Sequence, residues 1–275
     1  MKQLTEIEVR KIQMGMVSFI DDICRKNNIE YSLGGGSLLG SIRHKGFIPW
    51  DDDIDIMLKR SEYEKLLQVI KTSENIAPFQ LLHYTTEKTL VPFVKLYNNK
   101  TIVKSLFSNT QPDLGVFVDI FPMDALPKDE NERKNFQLAC REAAILLESD
   151  SFPYYAWGPN LAVFLAKLVL RFPQFLRAKG KWQEIAIALD AEMQKYENLD
   201  EKYIGFVPSY YGLKECFENA VFLEYEDVQF EDLTLRKIKN HGAYLSQLYG
   251  DYMQLPPENK RVNHDHYKWY WKEGK

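Results

Sequence analysis

Four aspartates fall within five positions, Asp51, Asp52, Asp53 and Asp55, and a run of three glycines and a serine, Gly34 to Ser37, precedes them. Like charges this close repel one another, and the repulsion grows where water is excluded. The flanks are apolar, "IPW" before and "IDIML" after. The carboxylates therefore stand at the edge of a core rather than in a solvated loop. A divalent cation is the natural compensator. Mg2+ takes oxygen ligands in near-octahedral geometry and commonly shares them with substrate phosphates. The glycines complement this chemistry. Gly35 and Gly36 can adopt conformations that bring backbone N–H groups up to an anion, and Ser37 adds a hydroxyl at the start of a helix. A glycine turn shortly before an acidic strand can face one phosphate together with it.

"DIDIML" alternates charge and apolar character with period two, so it reads as a strand with its aspartates on one face. Asp53 and Asp55 share that face, Asp51 has the same parity just before it, and Asp52 has the opposite parity. Asp51, Asp53 and Asp55 are thus the candidate ligands. A well-held metal needs a third strand carboxylate. Asp119 in "VFVDIFP" is the best candidate, since an unpaired charge among apolar strand residues is costly; pairing with a basic residue is its alternative. Asp124, beyond the proline, is a weaker choice. Arg43 and His44 follow the glycine helix. Arg43 turned back toward a phosphate would supply a charge-assisted clamp, or would pair with one of the aspartates. Lys95, flanked by apolar strand residues, is placed to reach a phosphate or to stand as a solvated strand lysine. Trp50 reads as packing for the acidic strand.

The elements that position these groups are legible from periodicity. Ile7, Ile12, Met16, Phe19, Ile20 and Ile23 predict one amphipathic helix over 5–28, with Thr5 near its start. "IEYSLGG" reads as a short strand entering the glycine turn, and "SLLGSIRHKG" as a short helix. "RSEYEKLLQVIKT" is a helix, with Ser61 as N-cap and Glu64 at capping-box spacing. "FQLLHY", "PFVKLYN" and "TIVKSLF" are strands, and a further strand over 116–121 ends at Pro122. Residues 129–200 read as mostly helix, followed by a strand "DVQFEDL", a helix "HGAYLSQLYGDY" and an aromatic, basic tail.

Composition bounds the rest. With 275 residues, 45% of them apolar, the chain can bury a sizeable core. A formal net charge of −4 argues against a nucleic-acid binder driven by phosphate contacts. The N-terminus lacks the pattern of a secretory signal, and no apolar run is long enough to span a bilayer. Cys24, Cys140 and Cys216 are widely separated, as expected of structural thiols in a reducing cytoplasm. Residues 157–182 carry five basic residues and no acidic one. They read either as a helix packed on the core with a basic outer face or as an interfacial segment touching membrane.

Three blocks, "GGGSLLGSIRHKGFIPWDDDIDI", "FVDIFPMDALP" and "YLSQLYGDYMQLPP", resemble the LicD family, whose core is similar to that of the fukutin-related proteins and belongs to the nucleotidyltransferase-like superfamily. The resemblance implies an α+β fold: a mixed β-sheet core flanked by helices over 1–128, and a mostly helical, substrate-binding region over 129–275. It implies transfer of phosphocholine from CDP-choline to a sugar hydroxyl of a cell-surface glycan or teichoic acid precursor, with release of CMP. On this reading Asp53 and Asp55 hold Mg2+ (or Mn2+), and Asp119 completes the metal site or takes the proton of the attacking hydroxyl, a role for which it is preferred to His44. Gly35, Gly36, Ser37, Arg43, His44 and Lys95 would bind substrate. The implied partners are CDP-choline and a lipid-linked glycan acceptor, met by a cytoplasmic protein at the inner face of the membrane. Choline needs aromatic faces rather than hydrogen-bond acceptors, and Tyr154, Tyr155 and Trp157, or the tail "HYKWYW", are sources. The pair His264 and His266 reads as incidental, and Arg261 as a tail anchor or nucleotide contact. Two other functions stay open: a nucleotidyltransferase, or a phosphotransferase using another CDP-alcohol, on the same core; and a non-catalytic nucleotide- or glycan-binding protein.

Overall fold

The computed structural model describes residues 1–73, 76–104, 114–152, 154–156, 160–197, 202–258, 261 and 267–272. The first helix, α1 (Glu6–Lys26), starts at Thr5, whose hydroxyl accepts from the Glu8 N–H while the Glu8 carboxylate accepts from the Thr5 N–H. This reciprocal cap fixes the start of the helix. Its inner face is Val9, Gln13, Met16, Val17, Ile20 and Cys24; Ile7, expected on that face, is exposed.

The expected α+β class holds. Seven of the described strands form one sheet, running β1 (Ser32–Leu33), β2 (Asp55–Lys59), β6 (Phe117–Leu126), β4 (Val94–Asn98) and β3 (Phe79–Leu82), with β7 (Tyr203–Gly205) on the far end of β6 and β8 (Phe217–Glu218) beyond it. Only β2 and β6 pair in parallel; the other contacts are antiparallel. Helix α2 (Gly35–Arg43) links β1 toward β2, and α3 (Arg60–Thr72) follows β2 directly. Ile54, Ile56, Leu58, Val118 and Ile120 are almost completely buried. At roughly 1.5–3 kcal/mol for each fully buried aliphatic side chain, this apolar block holds the charged end of the sheet in register.

Several expectations are corrected. Helix α3 begins at Arg60, with Lys59 as an N-cap that makes no side-chain bond, so Ser61 lies inside the first turn. The acidic strand begins at Asp55, and Asp53 precedes it in irregular chain. Strand β6 runs through Pro122 rather than ending there. The proline sits between the ladder with β4, which ends at Ile120, and the ladder with β7, which begins at Asp124, so neither loses a bond to the missing N–H.

Residues 129–200 are mostly helix, as expected, with α4 (Glu130–Glu148), α5 (Leu161–Leu170), α6 (Phe172–Ala178) and α7 (Trp182–Met193). Helix α8 (His241–Tyr249) follows later, the expected strand "DVQFEDL" overlaps β9 (Tyr225–Phe230), and periodicity missed further strands. The hairpin of β9 and β10 (Leu233–Ile238) turns at Glu231 and Asp232, with Glu231 at φ 53°. The tail strand β11 (Lys268–Trp271) pairs with β5 (Thr101–Lys104). All three cysteines are free, and Cys24 and Cys140 are buried, as expected.

Arg60 joins the sheet to the helical half. Its guanidinium forks onto Asp124 at 2.6 and 2.9 Å and also reaches Asp190 on α7 at 3.0 Å. Arg60 is 2% and Asp124 0% exposed. Burial pushes the Asp124 carboxyl up and the adjacent guanidinium pulls it back. Removing one partner of such a pair strands the other charge, at a cost of about 3–5 kcal/mol, whereas replacing both with apolar groups is close to neutral. Arg60→Met should therefore lower unfolding stability by about that amount in urea titration, and the double variant Arg60→Met, Asp124→Leu should recover most of the loss.

Candidate active site

The site lies where β1, β2, β6 and β4 end together. The parallel register sets Asp55 directly beside Asp119, and the antiparallel register sets Asp119 beside Lys95. In-register neighbours point to the same face of a sheet, so three charged side chains meet on one face. The Lys95 ammonium donates to both oxygens of Asp119, at 2.6 and 2.9 Å, and lies 3.7 Å from the centre of the Phe117 ring. The basic partner that the sequence left open for Asp119 is thus Lys95. Asp124, the weaker third carboxylate, faces away and belongs to Arg60.

The glycine turn hangs on the same strand. The Gly34 N–H donates to the Asp55 carbonyl at 2.9 Å, and the Ser37 hydroxyl accepts from the Asp55 N–H at 2.9 Å. Gly35 has φ +47°, and a Cβ there would stand 2.8 Å from Asp55 Oδ2. A Cβ on Gly36 would stand 2.5 Å from Asp51 Oδ2. Gly35 needs its glycine for the left-handed backbone, and at Gly36 a side chain would displace the Asp51 carboxylate. The sequence reading assigned these residues to an anion; the structure brings acid groups to them first.

Burial, followed by repulsion from Asp53, Asp119 and Asp51, pushes the Asp55 carboxyl well above the usual carboxylate range, with Lys95 pulling the other way. Asp51, Asp53, Asp55 and Asp119 thus act on one another although only Asp55 and Asp119 lie in strands. The loop carrying the first two is braced by α1: Arg10 donates to the Asp51 carbonyl at 3.2 Å and Gln13 to the Asp52 carbonyl at 2.7 Å. Asp52 edges, with Asp51, a hollow of about 290 Å³ lined also by Val9, Lys268 and Trp269.

The oxygen-only donor set and its excess negative charge suit a hard divalent cation. Among the described residues no three His, Cys, Asp or Glu side chains are gathered tightly enough to cage a metal unaided.

Arg43 and His44 point elsewhere. Arg43 donates to the carbonyls of Tyr252 and Gln254, at 2.9 and 3.4 Å, tying α2 to the loop after α8. His44 meets the Trp50 ring edge-on, centroids 6.3 Å apart, and burial with the neighbouring Arg43 pushes its pKa down. Arg261 covers Trp50 at 4.6 Å and donates to the Pro256 carbonyl, so it anchors this loop. Together Arg43, Trp50, Tyr252 and Arg261 edge a groove of about 730 Å³. A second pocket, about 200 Å³, opens beside Lys95 and Arg141.

Sequence reasoning missed the tyrosines of the later half. Tyr244 on α8 accepts from the Gly35 N–H at 3.3 Å, and the Tyr249 hydroxyl bonds that of Tyr211 at 2.9 Å. The charges of Asp55 and Asp53 add to burial in pushing the Tyr211 phenol up. Tyr244 and Tyr249 lie in the expected helix but five residues apart, a spacing that shares no face, and Tyr211 and Glu215 lie in a stretch without periodicity. Of the expected aromatic sources, Tyr267 and Trp269 line the hollow at Asp52. Tyr155 stacks on Phe175 and is buried, and Trp269 packs on Phe117. The Tyr154 side chain, Trp157, His264 and His266 lie outside the described residues.

Residues 28–156 match the nucleotidyltransferase domain of the LicD/FKTN/FKRP family, a span that contains the glycine turn, the aspartates and Asp119. Over 96% of its length the chain is 31% identical to the lipopolysaccharide cholinephosphotransferase LicD of Haemophilus influenzae, of which it covers 97%. Shorter stretches match uncharacterized proteins of Rickettsia prowazekii (30% identical over 109 residues, 39% of this chain and 37% of that one) and Rickettsia typhi (41% over 49 residues, 18% and 16%). A relative matched from end to end, and a domain match centred on the acid cluster, place the chain in the LicD family.

Proposed function

We propose that the protein transfers phosphocholine from CDP-choline to a sugar hydroxyl of a cell-surface glycan precursor. The end-to-end similarity to a cholinephosphotransferase carries this reading. The hydroxyl oxygen attacks the phosphorus that bears choline, the bond to CMP breaks, and CMP leaves with the electron pair. The hydroxyl proton passes to a carboxylate of the cluster. Asp53 and Asp55 would hold Mg2+ or Mn2+, with Asp51 and Asp119 completing the anionic ring around it. When bound, the cation supplies neutralisation of charge on the phosphoryl oxygens. Lys95, bonded to both Asp119 oxygens, weakens Asp119 as a base, so positioning suits Asp119 better than proton transfer. The turn at Gly35 and Gly36 and the Ser37 hydroxyl hold the acid strand at the distance a phosphate needs. The groove between Trp50 and Tyr252, with Arg43 and Arg261 at its edge, suits the cytidine and its phosphate.

A lipid-linked acceptor would account for α5 and α6. No residue of α5 is buried. Val169 and Leu170 are 73% and 74% exposed, and Leu165 and Leu176 are also exposed, beside Lys167, Arg171, Arg177 and Lys179. No described helix is long and apolar enough to cross a membrane. An apolar ridge flanked by cations suits the surface of an anionic bilayer.

Two experiments follow. In phosphorus NMR with CDP-choline, Mg2+ and a pool of glycan precursors, CMP should appear; EDTA should stop the reaction and Mg2+ restore it. Asp55→Asn should lower the rate by about 100-fold or more, the scale of losing one electrostatic group at a phosphoryl transfer site. Pyrophosphate from CTP would instead favour a nucleotidyltransferase, and nucleotide binding without turnover a binding protein. In flotation with phosphatidylserine vesicles at low salt, the protein should rise with the lipid, and Val169→Asp with Leu170→Asp should keep it in the soluble fraction. No flotation at low salt would remove the membrane contact.

A further inference from the structure

Phosphocholine carries a cation that forms no hydrogen bonds, and the choline arm is short. Its trimethylammonium head must therefore lie next to the transferring phosphorus, against aromatic faces and negative charge. One hollow meets all three conditions. It is about 120 Å³, on the order of the ~150 Å³ cavity that admits benzene, and Asp55 and Gly35 form part of its wall. Residues 55, 57, 121 and 123 all line it, the same parity that puts Asp55 and Asp119 on one sheet face. Phe121 and Phe206 meet edge to face, 4.9 Å between centroids, and Tyr211 and Tyr244 close the other side.

The charges in the walls sort the hollows. Lys95 and Arg141 line the pocket of about 200 Å³, Lys268 lines the hollow at Asp52, and Arg43 and Arg261 edge the large groove. Among the described residues the hollow at Asp55 has no lysine, arginine or histidine in its wall; its charged residues there are Asp55 and Glu215. Glu215 is 4% exposed. It accepts from the Ser209 hydroxyl at 3.1 Å and from the backbone at Phe206, both neutral donors. No cation offsets it, and burial pushes its carboxyl up to about 7. A buried acid that brings its own hydrogen-bond donors can face a ligand that offers none.

We infer that the hollow walled by Phe121, Phe206, Tyr211, Tyr244 and Glu215 beside Asp55 seats the trimethylammonium head of choline and selects it over a primary ammonium. This assignment rests on the phosphocholine reading above. The hydrated ammonium of ethanolamine would lose its water against these rings for the Asp55 and Glu215 carboxylates alone, the latter already bonded to Ser209 and the Phe206 backbone, whereas the methyl groups of choline gain contact with the rings.

Calorimetric binding of CDP-choline, CDP-ethanolamine and CDP, with Mg2+ and without acceptor, tests it. The native protein should bind CDP-choline about tenfold more tightly than either of the others, the scale of a desolvated cation–π contact. Tyr211→Leu and Glu215→Gln should each lose most of that preference while binding CDP within twofold of native, which also shows that they fold. Tyr211→Phe, which keeps the ring, should retain it. In proton NMR the N-methyl signal of CDP-choline should move upfield on binding the native protein, and less so with Tyr211→Leu. A preference that survives both Tyr211→Leu and Glu215→Gln, or an N-methyl signal that does not move, overturns the assignment and leaves phosphocholine transfer standing. A native protein with no preference for CDP-choline over CDP removes the phosphocholine reading, and the assignment falls with it.

Discussion

Asp55 and Asp119 are neighbours across a parallel ladder, in a place where water cannot dilute their repulsion. Most of the surrounding architecture answers to that single constraint. The apolar residues that alternate with them keep both strands in register, so the two charges cannot slip apart by a residue without exposing the core. Lys95 arrives from the opposite side on an antiparallel strand, bonds Asp119 and partly offsets the charge at Asp55. Asp55 stands among Asp53, Asp119, Asp51 and the glycine turn, and their repulsion adds to burial in pushing its carboxyl up.

Strand β6 shows how one sheet face is given to chemistry and the other to stability. Asp119 and Asp124 lie five residues apart and so project to opposite faces. Each has a cation at hydrogen-bond distance. For Asp119 it is the single point charge of Lys95, at the open end of the sheet. For Asp124 it is the planar fork of Arg60, wholly enclosed and shared with Asp190. The forked, buried pair binds helix α7 to the sheet, and the point-charge pair stands beside Asp55 at the open end.

The acid cluster was legible because its chemistry is local in the chain. Parity separated Asp52 from its neighbours, and apolar flanks singled out Asp119. Two kinds of feature were not legible. Partners fixed by distant pairing, such as Lys95 for Asp119 and the Tyr252 and Gln254 carbonyls for Arg43, depend on register that no local pattern encodes. Aromatic residues present the same composition whether they pack or line a site. Tyr155 is packed on Phe175, Trp269 both packs on Phe117 and lines a hollow, and Tyr211 and Tyr244 share a hollow with Asp55. The short strands β7, β8 and β11 escaped notice for a further reason. They are two to four residues long and held by tertiary pairing, and β10 follows a turn at Glu231 that lacks the usual glycine or asparagine.

That turn has a consequence for the order of events during synthesis. Glu231 accepts from the Phe47 N–H, and its own N–H donates to the Lys45 carbonyl. Ser32 and the Tyr31 hydroxyl accept from the backbone of β10 at Ile238 and Arg236. The segment that leads into the aspartates is thus fastened by residues that leave the ribosome nearly two hundred positions later. Until then the nascent chain carries its acid groups without the hairpin that shapes their approach. A chain that stops before the hairpin lacks all four of these bonds.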